Sequence, residues 1–371
     1  MKLNEAKKYG AKIKKYDLPF LVVTILLIAF GFIAVLSASY PTGLKDNGDG
    51  YFFVKKNIKF LILGTFLMFL AARMPRKTLK KLTPYVFWSS IILIALLWTP
   101  FGQERYGQVR WVKIPNLPQI QPSDFIKVSI VLMLANILEK NYKRLSNTNV
   151  FITIIFIMVI GVMPILLKDF STGLVVVAEV VSMILVAGLY FYQFVILGGM
   201  GITGLLILVF SVGYRRRRVM AFFKGTSTGV KKDNYQITQA LYAIAMGGTS
   251  GVGLFHSRQK YANLPFAYND FIYAIICEEF GAIGGIILIL LFAFFVYRGY
   301  CIAYRTKNIF DKLTAVGLTT FIGIQAIFNI GVNINLFPVT GITLPFISYG
   351  GTALLISMIS AGLILRISRE N

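Results

Sequence analysis

Acidic residues are scarce in this chain, and histidine and cysteine are scarcer still. Only 15 Asp and Glu stand against 38 Lys and Arg in 371 residues, with one histidine and two cysteines. Each scarcity excludes something. His256 sits alone in a glycine-rich stretch with no second ligand in view, so neither a histidine metal centre nor a histidine catalyst has a basis. Cys277 and Cys301 lack metal-ligand spacing, give no disulfide framework and leave the redox compartment open. The run MGGTSGVG has no Lys-Ser/Thr after it and follows no strand, so it is not a nucleotide-binding loop. Internal repeats, soluble domains and low-complexity linkers are absent as well.

What is present is apolar. The chain is 56% hydrophobic with a mean hydropathy of +0.71, and its apolar runs repeatedly approach the roughly 20 residues that a helix needs to cross a bilayer. The fold class is therefore all-α, a polytopic membrane protein with ten transmembrane helices. The first runs from Leu18 to about Ser39; the others cover roughly 58–72, 83–99, 122–138, 150–167, 172–190, 194–213, 268–297, 313–334 and 342–365. The first run is too long for a signal-peptide core and lacks a cleavage site, so it reads as a retained helix. The formal charge of +23 fits cations at helix ends and against anionic lipid, and nucleic acid is set aside as a partner.

An even number of spans puts both termini on one side. The basic residues gather in the tails and short loops of that side, which makes both termini cytoplasmic in a multi-pass protein of the cytoplasmic membrane. Residues 1–371 read as a single integral membrane domain with a basic cytoplasmic tail at 1–17. A large, basic, water-facing extracytoplasmic loop at 214–267 joins helices 7 and 8.

A charge in hydrocarbon costs about 2.5 to 3.5 kcal/mol even on mild insertion scales, so an acid there is a functional-site hypothesis. The acids at or within spans are Asp124, Asp169, Glu179, Asp270, Glu278 and Glu279. All but Glu179 fall near outer ends. On the eighth helix Asp270, Ala274, Glu278 and Gly281 recur at helical spacing, which predicts one shared face with the Asp270 and Glu278 carboxylates ~12 Å apart. Glu278 and Glu279 fit equally a cavity and a structural pairing with neighbouring helices. Arg110 and Trp111 suit either phosphate contact or an interfacial belt, Lys127 either a ligand or a local pair with Asp124, and Arg215 to Arg218 suit lipid headgroups. The residues alone describe an outward-facing cavity for a ligand bearing phosphates. An enzyme acting on a lipid-linked substrate, a transporter of one, and a scaffold for another enzyme all fit.

The stretches Tyr235–Gly285, YGQVRWVKIPNLPQIQPSDFIK and Asn329–Gly351 (NIGVNINLFPVTGITLPFISYGG) resemble the signatures of the SEDS family (shape, elongation, division and sporulation), the peptidoglycan polymerases. The opening DLPFLVVTILLIAFGFIAVLSAS with FFVKKNIKF resembles the division and sporulation branch (FtsW, SpoVE) more than the elongation branch (RodA). The resemblance implies glycosyl transfer from lipid II, the undecaprenyl-diphosphate-linked disaccharide peptide, at the outer membrane face, with a class B penicillin-binding protein as partner. The family's His-Thr-Asp-Phe-Ile reads here Tyr268-Asn269-Asp270-Phe271-Ile272, making Asp270 the general base. Its Gln-Pro-Ser-Glu reads Gln121-Pro122-Ser123-Asp124 with Lys127, and its Gln-Pro-Asp-Leu-Gly-Thr is altered to Lys168-Asp169-Phe170-Ser171-Thr172. The substrate-binding candidates it implies are Arg110, Trp111, Lys127, Asp169, Ser257, Gln259, Lys260, Glu278 and Ser348. Arg110, Lys127 and Lys260 would face the diphosphate, with Mg or Mn as the divalent cation to share that work.

Overall fold

A computed structural model of the chain describes residues 16–105, 108–113, 115, 118–145, 147–224, 231–262 and 264–370. Residues 1–15 of the basic tail, and 225–230 and 263 of the segment 214–267, lie outside the described residues. The helices are α1 Leu18–Asn47, α2 Phe52–Arg73, α3 Arg76–Ala95, α4 Pro122–Lys140, α5 Thr148–Lys168, α6 Phe170–Ala187, α7 Phe191–Phe210, α8 Gly213–Lys224, α9 Lys231–Gly247, α10 Gln259–Ala262, α11 Ile272–Arg305, α12 Ile309–Asn333 and α13 Gly351–Glu370.

Local chemistry sets several of these boundaries. The Asp17 carboxylate caps α1 by accepting from the Phe20 amide at 3.0 Å, and Gly48 ends the helix in the left-handed region. Pro122 opens α4 at its first position, where a missing N–H costs nothing, and Asp124 adds charge suited to the helix dipole. Asn308 caps α12 through the Asp311 amide at 3.1 Å.

Among the described residues, eight helices are long and apolar enough to cross a membrane. The predicted spans at 58–72 and 122–138 coincide with α2 and α4, helices of 22 and 19 residues whose lysines and acids make them more polar. Helices α12 and α13 form the centre, with 83% and 78% of their most apolar windows buried, whereas α7 lies at the periphery with 6%. Around α12 pack α4, α6 and α11, and α2 packs against α13.

The structure departs from the sequence expectations in four places. A two-stranded antiparallel hairpin interrupts the all-α pattern between α3 and α4, with β1 Gly102–Arg105 against β2 Gln108–Val112. The segment 214–267, read as loop, carries helices α8, α9 and α10, and α9 packs on α11. The tenth span starts at Gly351 and not at 342, because 342–350 is irregular chain. Finally, α11 starts at Ile272, so Asp270 precedes the helix, and Gly281 breaks it with φ 70° and ψ −172°. The predicted stripe from Asp270 to Gly281 therefore does not form.

The break at Gly281 explains the run MGGTSGVG. A broken helix exposes carbonyls before the break and amides after it, and both need partners. The glycine loop supplies them: Val252 and Gly253 donate to the Glu278 and Glu279 carbonyls at 2.9 and 3.0 Å, while Ala282 and Ile283 donate to Gly248 and Thr249 at 2.9 and 3.3 Å. Only glycine suits position 281, since a Cβ there would meet the Thr249 carbonyl oxygen at 2.3 Å.

Ion pairs staple the far end of the bundle. Asp311, at the start of α12, accepts from both Arg366 terminal nitrogens at 3.0 and 2.9 Å and from Arg76 Nε at 2.6 Å. Asp17 pairs with Arg298, and its amide donates to Ser368 Oγ at 3.1 Å. Residues 17 and 368 thus meet at one end of the molecule.

Candidate active site around Asp270

The irregular chain between α12 and α13 has no ladder or helix to satisfy its carbonyls, yet buried carbonyls need donors. Side chains provide them one after another. Arg218 of α8 donates to Val339 O at 2.9 Å; Arg110 of β2 donates to Thr340 O and Gly341 O, both at 3.2 Å; Ser171 of α6 adds a bond to Thr340 O at 2.8 Å. From α12, Asn329 donates to Ile342 O at 2.7 Å and Gln325 to Thr343 O at 2.8 Å. The PVTGITL stretch is therefore a strap held by four elements, and it lays the Arg110 guanidinium across Gly341.

A second held turn carries Asp270. The carbonyl of Tyr268 accepts from the Tyr349 amide at 3.0 Å and that of Asn269 from Ser348 Oγ at 2.6 Å. The Asp270 carbonyl accepts from Asn329 at 2.8 Å and Asn333 at 3.0 Å. Phe53, Tyr268 and Tyr349 stack beside this turn with centroids 4.7 to 5.7 Å apart. The two held segments meet at Gly341, where an added Cβ would lie 2.9 Å from Arg110 Nη1 and 3.4 Å from Asp270 Oδ2. The strap thus brings a carboxylate and a guanidinium to one point.

Asp270 is half-buried, and among the described residues no side chain donates to its carboxylate. Burial pushes its carboxyl up to about 6; Arg110 and Arg218 oppose that rise, and Asp169 adds to it. Asp169 goes the other way. Burial raises it, but Arg110, hydrogen bonds from Thr172 and Ser123, and Lys127 outweigh burial and hold it below the ordinary carboxylate value. Its Oδ2 accepts from Ser123 at 2.8 Å and Gln121 at 3.1 Å. Its Oδ1 lies 3.1 Å from Arg110 Nε, but the N–H is not aimed along that line, so this contact is coulombic.

The remaining sequence candidates fall in three places. Trp111 is half-buried beside Arg110 on β2, paired in register with Gln103. Lys127 is buried and bonded to Asp124 at 2.9 Å and Gln325 at 2.8 Å, while Asp124 also accepts from Thr352 at 2.8 Å. Ser257, Gln259, Lys260 and Glu278 form a separate buried knot around the helix break. Glu278 accepts from Ser257 at 2.5 Å and the Arg258 amide at 2.8 Å; Lys260 donates to Glu279 at 2.7 Å and Ser37 at 2.8 Å. Gln259 reaches Met246 Sδ at 3.7 Å. Lys260 is therefore occupied by a structural pair. Ser348 holds the Asp270 turn from behind. Of the sequence candidates, the structure brings Arg110, Asp169 and Asp270 together, with Trp111 on the same strand.

Sequence reasoning passed over Gln325, Asn329 and Asn333. Their spacing of four along an otherwise apolar helix was the available signal, a polar stripe on the inward face of α12.

Comparison with known proteins follows the same lines. The family model described as cell cycle protein, covering FtsW, RodA and SpoVE, matches residues 17–371. Stage V sporulation protein E of Bacillus subtilis is 35% identical over 95% of this chain and 97% of its own length. The "Probable peptidoglycan glycosyltransferase FtsW" of Geobacter metallireducens is 32% identical over 96% of each. Among solved structures, a chain of a peptidoglycan synthase complex, described as coordinating polymerization and crosslinking, matches with a TM-score of 0.79 at 26% identity over 96% of this chain and 98% of that one. The rod shape determining protein RodA of Thermus thermophilus matches with a TM-score of 0.70 at 25% identity, covering 96% of this chain and 97% of that one. With the match running from Asp17 to the last residue, the chain belongs to the SEDS family of FtsW, RodA and SpoVE.

Proposed function

We propose that this protein is a peptidoglycan glycosyltransferase that polymerises lipid II at the outer face of the cytoplasmic membrane, with Asp270 as the general base. The observation that carries the reading is the meeting of Asp270 and Arg110 at Gly341. Chain growth joins the 4-hydroxyl oxygen of the acceptor GlcNAc to the anomeric carbon of the donor MurNAc. The bond from that carbon to the undecaprenyl diphosphate breaks. Asp270 takes the hydroxyl proton as the new bond forms, a contribution of roughly 10² to 10⁴-fold for a well-placed base. A carboxyl near 6 suits that work, since it is ionised at neutral pH and still basic enough to accept a proton.

The departing diphosphate gains charge, and fixed guanidinium groups stabilise it without reorganisation. Arg110 and Arg218 are the cations at this place. Among the described residues no three His, Cys, Asp or Glu side chains cluster as a metal site. Asp169 and Asp270 face guanidinium groups, which oppose a divalent ion between them, so these residues do not by themselves fit Mg or Mn and the reading derives no step through one. A class B penicillin-binding protein is the expected partner, supported by the likeness to a synthase complex that couples polymerization and crosslinking. The outward orientation of the Asp270 end, with both termini cytoplasmic, follows from the distribution of basic residues.

A transporter of the same precursor would use a broken helix to line a passage. Here the break at Gly281 is filled by backbone partners from the glycine loop, which favours chemistry over passage. The test is incubation of the purified protein and its transpeptidase with labelled lipid II, reading products on a gel. Glycan ladders are expected; lipid II movement across vesicles without any polymer would contradict the reading.

A further inference from the structure

The Asp270 turn and the cation strap are separate pieces of irregular chain, and neither has secondary structure to fix it. One helix holds both. Asn329 Nδ2 donates to the Asp270 carbonyl at 2.8 Å and to the Ile342 carbonyl at 2.7 Å, so one amide joins the residue that carries the base to the residue beside Gly341. One turn further along α12, Asn333 Nδ2 donates to the same Asp270 carbonyl at 3.0 Å, and its Oδ1 accepts the Ala274 amide at 3.1 Å from the first turn of α11. Both asparagines are buried on a rigid helix that is itself the centre of the bundle. Buried amides bonded this fully are costly to disrupt and specify one arrangement.

We propose that Asn329 and Asn333 are positioning residues for glycosyl transfer, a two-amide bracket that fixes the distance between the Asp270 carboxylate and the Arg110 guanidinium. The proposal rests on Asp270 as the base. Neither asparagine touches the reacting atoms; each acts through the backbone of the residue that does. The charged groups acting on Asp270 are Arg110 from β2, Arg218 from α8 and Asp169 from the junction of α5 and α6, while α12 offers it only amides.

A displaced base loses rate more than substrate affinity, and a misplacement of ~1 Å can cost on the order of 100-fold. The experiment measures lipid II polymerisation against pH for the full-length protein with its transpeptidase, comparing wild type with Asn329→Ala, Asn333→Ala and the conservative Asn333→Gln. The alanine variants are expected to lose roughly 10- to 100-fold in kcat with KM nearly unchanged. Their acid limb should move to higher pH, because Asp270 sits further from the guanidinium that holds its carboxyl down. Asn333→Gln, which keeps the amide, should recover part of the rate. Should an alanine variant fail to fold, Asn333→Leu, which keeps the volume and removes the amide donor, decides the matter through the same limb. Folded variants lacking the amide with an unmoved acid limb would overturn the bracket, even if their rate fell. Asp270→Asn measured alongside separates the two claims: full activity there overturns the base itself, whereas an inactive Asp270→Asn beside unaltered alanine variants overturns the bracket alone.

Discussion

Asp270 is set apart from the other buried acids by what faces it. Asp124 is met by Lys127 and Thr352, Glu278 by Ser257, and Glu279 by Lys260 and Ser37. Those carboxylates are satisfied and have nothing left to do. Among the described residues no side chain donates to the Asp270 carboxylate, while its own backbone is pinned, which is the arrangement a base needs. Because burial pushes this carboxyl to about 6, the reactive ionised form is lost as pH falls through that value. Polymerisation should therefore be level near neutrality and drop about tenfold for each pH unit well below 6, and a rate that stays flat to pH 4.5 would contradict the assignment. Gly341 offers a second residue-level check. Its φ of 70° disfavours any side chain, and a Cβ would press on Arg110 at 2.9 Å, so Gly341→Ala should cost at least tenfold in kcat/KM while the protein still purifies folded, with an unchanged unfolding temperature in detergent as the check. Glu179 differs from both, wholly buried in α6, and among the described residues neither of its oxygens has a hydrogen-bond partner. Replacing an unsatisfied buried charge by an apolar group of similar size often stabilises, so Glu179→Met should raise the unfolding temperature in detergent, and a lower one would show a partner that the fold depends on.

At the level of elements, the sequence was legible where one physical rule dominated. Apolar runs of span length located every long helix, because in lipid the backbone has no alternative to satisfying itself within the segment. The acids were legible too, since an ionisable group in such a run demands a reason. What could not be read was irregular backbone that is satisfied by distant side chains. The run PVTGITL looks like the start of a helix by hydropathy, yet its carbonyls are claimed by Arg218, Arg110, Ser171, Asn329 and Gln325, residues up to 231 positions away in the case of Arg110 and Gly341. The basic segment from Gly213 to Gly247 looked like loop because its lysines and arginines hide the apolar face that α9 presents to α11. The break at Gly281 was invisible for a different reason: glycine is common in membrane helices, and only the loop that fills the gap gives this one its meaning. Lys260 follows from the same knot. With its ammonium bonded to Glu279 and Ser37, Lys260→Met leaves a buried carboxylate unpaired and should destabilise the protein by about 3 to 5 kcal/mol, read as a fall in unfolding temperature. A variant with unchanged stability but a raised KM for lipid II would instead return Lys260 to the substrate site.

Across the whole molecule, the two ends of the bundle are built for different tasks. At one end Asp311, Arg76, Arg366, Asp17 and Arg298 pair among themselves and hold residues 17 and 368 together. At the other end charges are drawn in from β2, α8 and the junction of α5 and α6 onto a strap beside the Asp270 carboxylate. The first end is closed by ion pairs among its own residues, and Asp270 is kept at the end where the substrate's diphosphate would arrive. The most direct test of this division is single-turnover polymerisation of labelled lipid II by the purified protein with its transpeptidase, comparing wild type with Asp270→Asn while lipid II binding is measured on the same samples. The account predicts that Asp270→Asn binds lipid II as wild type does and forms glycan at least 100-fold more slowly; equal glycan synthesis by both proteins would contradict it.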